Sequence, residues 1–256
     1  MIRFLARLIR RGFMLFAICF LLPVAVAALW WQTQDHPQSW RAADWGASGV
    51  LQPTDEAAIH VLAARTGGQK GAVSVHSWLV WKPAGDAAWT RAEVVGWGRP
   101  VRLDAYAPDG KWYSNVPFHV GTVSGPKAAR LIPLIRATID AYPYDYNGSY
   151  TIWPGPNSNT FVSHILRQHP EIGIALPPHA VGKDFIGPGL RALRDAGGDL
   201  HLSAGGYAGL SIGPRQGFEV NLLGQTFGFD LSRPALKLPG IGRVGLDAAG
   251  TARADG

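Results

Sequence analysis

Cysteine is nearly absent from this chain: Cys19 is the only one among 256 residues, and it lies inside an apolar run. No disulfide can form in the remainder, and no cysteine there can serve as nucleophile or metal ligand. Other absences narrow the chemistry further. No Lys/Arg-dense stripe with interleaved aromatics occurs, so nucleic acid is not an expected partner. The glycines between Gly187 and Gly198 form neither a GxGxxG nor a Walker pattern after a strand, which leaves a nucleotide without a site. His164 and His169 are five apart, not at the i, i+4 spacing of a zinc helix. His36, His60, His119, His179 and His201 are scattered without carboxylate or cysteine partners and read as structural. No metal and no cofactor is expected.

The long apolar run itself is at the N-terminus. Arg3, Arg7, Arg10 and Arg11 precede Gly12 to Trp31, a stretch without a charged side chain. About 20 such residues suffice for a helix to cross a bilayer. Ala25, Ala27 and Ala28 leave a signal-peptide cleavage site open, but Trp30 and Trp31 look like interfacial anchors, and an uncleaved anchor is favoured. The positive-inside rule then places residues 1–11 in the cytoplasm, residues 12–31 in the membrane, and the rest outside. Four positive charges of the formal +6 belong to that short tail. The composition, 47% hydrophobic and 16% charged, suits a folded protein.

Residues 32–70 read as a juxtamembrane segment followed by a short helix. In TDEAAIHVLAARTGG, Thr54 suits an N-cap, Asp55 and Glu56 suit the first turn, and Gly67-Gly68 stop it. Next, GAVSVHSWLVWKP alternates as a strand, with Val75, Ser77, Leu79 and Trp81 on one face and His76, Trp78, Val80 and Lys82 on the other. A turn near Gly85 returns the chain as WTRAEVVGW, which brings Glu93 near His76; a slip of one residue would put Glu93 on the wrong face. GPKAARLIPLIRATIDAY is helical, with Pro133 marking a kink or a late start. The glycine-broken segments after Leu200 read as several antiparallel strands. No Pro/Ser linker interrupts this stretch. One α+β domain is therefore expected over residues 71–247, with a disordered tail over 248–256.

The stretch with chemical interest is WPGPNSNTFVSHIL. A Pro/Gly-rich approach delivers Asn157, Ser158, Asn159 and Thr160 to the start of a helix. Free N–H groups and the dipole there favour an anion and can form an oxyanion hole. Ser158 is thus either a helix cap or a nucleophile, with His76 as general base and Glu93 orienting it. Asn157, Asn159 and Tyr150 are the candidates for holding the oxyanion.

With these residues in hand, VSVHSWLVWK followed by GPNSNTFV resembles the circularly permuted, NlpC-type branch of the papain-like superfamily. There a strand-borne histidine precedes a helix-borne nucleophile in a frame like N-C-x-x-F, which Asn157, Ser158 and Phe161 match with serine in the cysteine's place. HSWLVWKP, WPGPNSNTF and EVNLLGQTFGFDLSRPALKLPGIGRVG also resemble a bacterial membrane-anchored family of unknown function, over roughly His76 to Gly245. The resemblance implies a papain-like antiparallel sheet with packed helices, preceded by one transmembrane helix, in the bacterial inner membrane. It also implies chemistry on amide or ester bonds of peptidoglycan, isopeptides or lipid acyl groups. A serine lacks the thiol's low pKa, so the first expectation is a non-catalytic module holding an envelope peptide, glycan or lipid. A serine-dependent amidase, peptidase or acyltransferase is the alternative. A third reading, motivated by the apolar, glycine-rich C-terminal strands, is a domain that packs on the bilayer or on another membrane protein.

Overall fold

The computed structural model describes residues 1–245, so the tail expected over 248–256 lies outside the described residues. The chain opens with α1 (Ile2–Phe16), which runs through one wider turn (Ala17–Leu21) into α2 (Leu22–Gln32). Together, Arg3–Gln32 form one helix long and apolar enough to cross a membrane. Its second half does not stand free. Phe20, Pro23, Ala27 and Trp31, spaced three and four apart, turn one stripe toward the folded domain and are buried. Trp31, expected at the lipid–water boundary, is instead 2% exposed, because its ring fills the space left by Gly71 and its Nε1 donates to the Gly68 carbonyl at 3.1 Å.

Among the described residues the domain contains two antiparallel sheets and two α-helices. The first sheet comprises β1 (Ala58–Arg65), β2 (Val75–Lys82), β3 (Thr90–Val94), β4 (Val101–Leu103) and β5 (Phe118–Ser124), in the order β4-β3-β2-β1-β5. The helix expected after Thr54 is therefore corrected to the strand β1. An apolar run such as AIHVLAAR fits either periodicity, and its position decides the outcome. β1 is paired on both edges, to β2 and β5, and buried on both faces, where an alanine-rich strand packs well. Thr54 Oγ1 does accept a backbone N–H, from Glu56 at 3.1 Å, but it closes a turn ahead of the strand.

Because β1 and β2 are buried on both faces, the sheet has a core on each side. On one side, Ile59, Val61, Leu79 and Trp81 meet Leu131 and Ile135 of α3 (Gly125–Asp140) and Phe161, Val162 and Ile165 of α4 (Ser158–Gln168). On the other, Leu62, Trp78 and Val80 meet Trp112, with Trp45 and Tyr113 packed around them. The chain then forms a second sheet from β6 (Leu190–Arg194), β7 (Leu200–Ala204), β8 (Ala208–Gly213), β9 (Gly217–Leu222), β10 (Gln225–Asp230), β11 (Ala235–Leu238) and β12 (Gly242–Gly245). These seven follow one another as a simple meander.

α4 is the centre of the first core, and Phe161 is fully buried there, edge-on to Tyr142 at 5.0 Å. Phe161→Ala is expected to cost about 3–5 kcal/mol in denaturant unfolding, as buried aromatic truncations do.

Candidate functional site

The tip of α4 is built by its asparagines. Asn157 is extended and sits just outside the helix, and its Oδ1 accepts from Asn159 N at 2.9 Å and Thr160 N at 3.0 Å. Its Nδ2 donates to the carbonyls of Ile152 and Val181. The close approach requires Gly182: a Cβ there would lie 2.4 Å from Asn157 Nδ2, and the backbone is left-handed at φ +90°. Asn159 reaches the other way, donating to Val75 and Val181 carbonyls at 2.9 Å each and accepting from Ser77 Oγ at 2.8 Å. Asn157 is therefore the cap, and Ser158 is the first helical residue. The polar groups of Asn157 and Asn159, expected at an oxyanion site, already have partners within the protein. Their amides, and the N–H of Asn159, are used up in fastening the tip to β2 and to the loop around Val181. Tyr150 packs its ring over Gly96 and makes no hydrogen bond to a described residue.

His76 and Glu93 do come together. Val80 pairs with Arg91 across β2 and β3, which places Arg91 and Glu93 on the His76 face. His76 Nε2 lies 2.7 Å from Glu93 Oε2, and Arg91 Nη2 reaches the same oxygen at 2.7 Å. The imidazole stacks on Trp112 at 3.7 Å with 6° between the planes, and the Arg91 guanidinium lies 4.2 Å over Trp78. Burial pushes the Glu93 carboxyl up, but His76 and Arg91 outweigh it and hold it below the usual glutamate range. Burial also holds His76 below the ordinary imidazole value, against the pull of Glu93. An ionised carboxylate can only accept, so Nε2 carries the proton and Nδ1 is bare.

Ser158 is not joined to this pair. His76 belongs to the Trp112 layer, whereas α4 packs on the opposite face of β2. The two approach the same end of the strand, since Asn159 binds Val75 and Ser77 on either side of His76. No hydrogen bond links Ser158 to His76, and neither the hydroxyl nor the N–H of Ser158 has a partner among the described residues.

A second polar cluster lies between α4 and the seven-stranded sheet. Glu219 accepts from Lys183 at 2.5 Å and from Lys237 at 2.6 Å, all three buried. Arg215 pairs with Asp195 and Asp199, and its Nη1 donates to the Leu166 carbonyl. His201 lies 3.3 Å from Asp195, a carboxylate partner that its sequence neighbourhood does not reveal. Asp195, Asp199 and His201 bring ligand-type atoms within 4.8 Å of one another, and the guanidinium of Arg215 already supplies the positive charge there. Arg167 and Asp184 border a cavity of about 10 Å³, room for one water. Asp184 Oδ2 is buried without a partner, and burial raises that carboxyl to about 6 despite nearby Lys183. The signal for this cluster was present as a period of two: His201 and Ser203, Ser211, Glu219 and Asn221, and Thr226 are polar at alternate positions of apolar strands.

A family described as protein of unknown function (DUF3750) matches residues 56–185. The chain belongs to this family. No curated protein and no solved structure matches it. The DUF3750 match takes in the first sheet, α3 and the whole of α4. It stops just after Lys183 and Asp184, so the ionic cluster joins the DUF3750 segment to the meander that follows.

Two outcomes are expected from this geometry. Asn157→Ala is predicted to cost about 2 kcal/mol of stability, whereas Ser158→Ala, which removes no hydrogen bond, costs under about 0.5 kcal/mol. For Asp184, the folded state retains a proton that the unfolded chain releases, so stability falls as pH rises from about 4 to about 6. Asp184→Asn is expected to flatten that part of the profile and to gain on the order of 2–3 kcal/mol at pH 7, read by urea unfolding across pH.

Proposed function

We propose that this DUF3750 protein is a single-pass envelope protein whose exported domain binds or scaffolds rather than hydrolyses. The helix Arg3–Gln32 would hold it in a bacterial inner membrane, with Arg3, Arg7, Arg10 and Arg11 on the cytoplasmic side and both sheets outside. The observation that carries the reading is the isolation of Ser158. Its hydroxyl has no base, and the N–H groups of the next two residues are committed to Asn157. A serine without a hydrogen-bonded base keeps its ordinary high pKa and is a weak nucleophile. His76 is held in a buried stack with Trp112 and tied to Glu93 and Arg91. In this reading the papain-like frame, a strand-borne His76 ahead of a helix-borne Ser158 and Phe161, serves as architecture. The ligand classes that suit it are an envelope peptide, a glycan strand or a lipid.

One observation favours the second reading, a serine-dependent amidase, peptidase or acyltransferase. His76 presents its bare Nδ1, with Nε2 oriented by Glu93, and both polar groups of Ser158 are unbonded at the same end of β2. Forming a base–nucleophile pair would require the two to meet around that end of the strand, from opposite faces of the sheet. Labelling of the detergent-solubilised full chain by a fluorophosphonate probe separates the two. The expected result is no labelling of the wild type, Ser158→Ala or His76→Ala. Labelling of the wild type that disappears in both variants would establish the hydrolase and overturn the binding reading.

A further inference from the structure

The seven-stranded sheet is inside out. A sheet with one covered face normally turns apolar residues inward and polar residues to water. Here the inward row across β7 to β11 is His201, Ser211, Glu219, Gly228 and Lys237, continuous through the strand registers and seated on the ionic cluster. The outward row is Leu200, Ile212, Phe218, Phe229, Leu236 and Val244, each the cross-strand partner of the next. At strand spacing this row runs for roughly 25 Å. Five of the six are between 39% and 52% exposed, with Phe218 stacked on Phe229 at 5.1 Å. A second outward row, Leu202, Leu210, Val220 and Phe227, lies beside it. An apolar surface of this extent on a soluble face marks a contact site.

Two observations identify what covers it. Phe227, in the second outward row, packs on Phe20 of the apolar N-terminal helix, with ring centroids 6.1 Å apart. Farther along the same helix, Ala27 lies against Gly240 in the turn between β11 and β12. The sheet face and the apolar helix are therefore one continuous surface, so that a bilayer around the helix would also border the sheet. Charge agrees with this. No carboxylate stands in either outward row, while Arg194 ends the first row as the partner of Leu200, and Arg191 and Arg233 are exposed at the edges. Cations around an apolar face suit anionic headgroups around acyl chains.

We infer that the outward face of the β6–β12 sheet rests in the outer leaflet of the bilayer beside the anchor, taking lipid acyl chains as its ligand. This depends on the reading of the N-terminal helix as a membrane anchor, and the test separates the two. In full-length protein carrying Cys19→Ser, nitroxide labels are placed singly at Leu202→Cys, Ile212→Cys and Phe229→Cys on the face. Val26→Cys reports on the helix, and Ala87→Cys, in the exposed β2–β3 turn, reports on water. The protein is reconstituted in phosphatidylcholine–phosphatidylglycerol vesicles, and collisions with oxygen are compared with those of a water-soluble nickel chelate. Oxygen is expected to dominate at Val26 and at all three face positions, and nickel at Ala87. Nickel dominating on the face while oxygen dominates at Val26 overturns the inference and leaves the anchor standing. Nickel dominating at Val26 as well sinks the anchor, and the inference with it. Protection of the face from both reagents, with dipolar broadening between labels, would show a second copy covering it and would also overturn the inference.

Discussion

Two lysines share one glutamate in the interior, and the architecture follows from that arrangement. Lys183 comes from the loop after α4, Glu219 from β9 and Lys237 from β11, and no member is more than 6% exposed. Taking such groups from water costs several kcal/mol each unless they find one another, and neither cation is tolerable there alone. The seam between the two halves of the domain is therefore specified by charge and geometry rather than by apolar area. Arg215 with Asp195 and Asp199, and Arg167 with the carbonyl of Lys183, extend the same logic along α4. A sheet whose inner face must meet this seam has to turn its polar alternate residues inward. Strand geometry then leaves the apolar alternates facing out.

The first sheet solves the opposite problem. Its central strands are covered on both faces, so the polar residues among them had to be neutralised in place. His76, Glu93 and Arg91 do this as a set: the carboxylate takes a proton donor from each neighbour, while Trp112 and Trp78 cover the imidazole and the guanidinium. Such a set has two readings in physical terms. It satisfies buried polar groups, and it also fixes a histidine tautomer, as a catalytic orienting group does. The separation of Ser158 from the set is what weighs toward the first.

The sequence was most legible where one face of an element was apolar and local spacing determined its neighbours. β2, α3 and α4 lie close to where their periodicity places them, whereas the side of the sheet taken by Glu93 hung on one residue of register and is decided by the pairing of Val80 with Arg91. β1 was not legible, because Ala-Ile-His-Val-Leu-Ala-Ala carries no period that distinguishes a two-faced strand from a helix; only its pairing with β2 and β5 does. At the helix tip, composition named the right residues and left their division of labour open. Asn157, Ser158, Asn159 and Thr160 are all capping types, and it took the contacts to Ile152 and Val181 to make Asn157 the cap. Lys183, Glu219 and Lys237 are 36 and 18 positions apart, too distant for local pattern to join. For His201 the sequence missed only the carboxylate partner, because the β6–β7 hairpin is what turns Asp195 toward it.

The burial of Trp31 bears on how the protein is made. The N-terminal helix leaves the ribosome first, and Gly68 and Gly71, which receive its indole, follow nearly forty residues later. The domain therefore closes onto a helix already made, and the last turn of that helix becomes one of its packing units. A cut between Ala25 and Ala28 would remove Phe20, which packs on Phe227, and separate it from Trp31. The end of the helix and the domain therefore form one packed unit, and the orientation of both sheets relative to the helix is set by these contacts. The helix and the domain are thus joined without a free hinge, and whatever fixes the direction of the one also fixes which face the other presents.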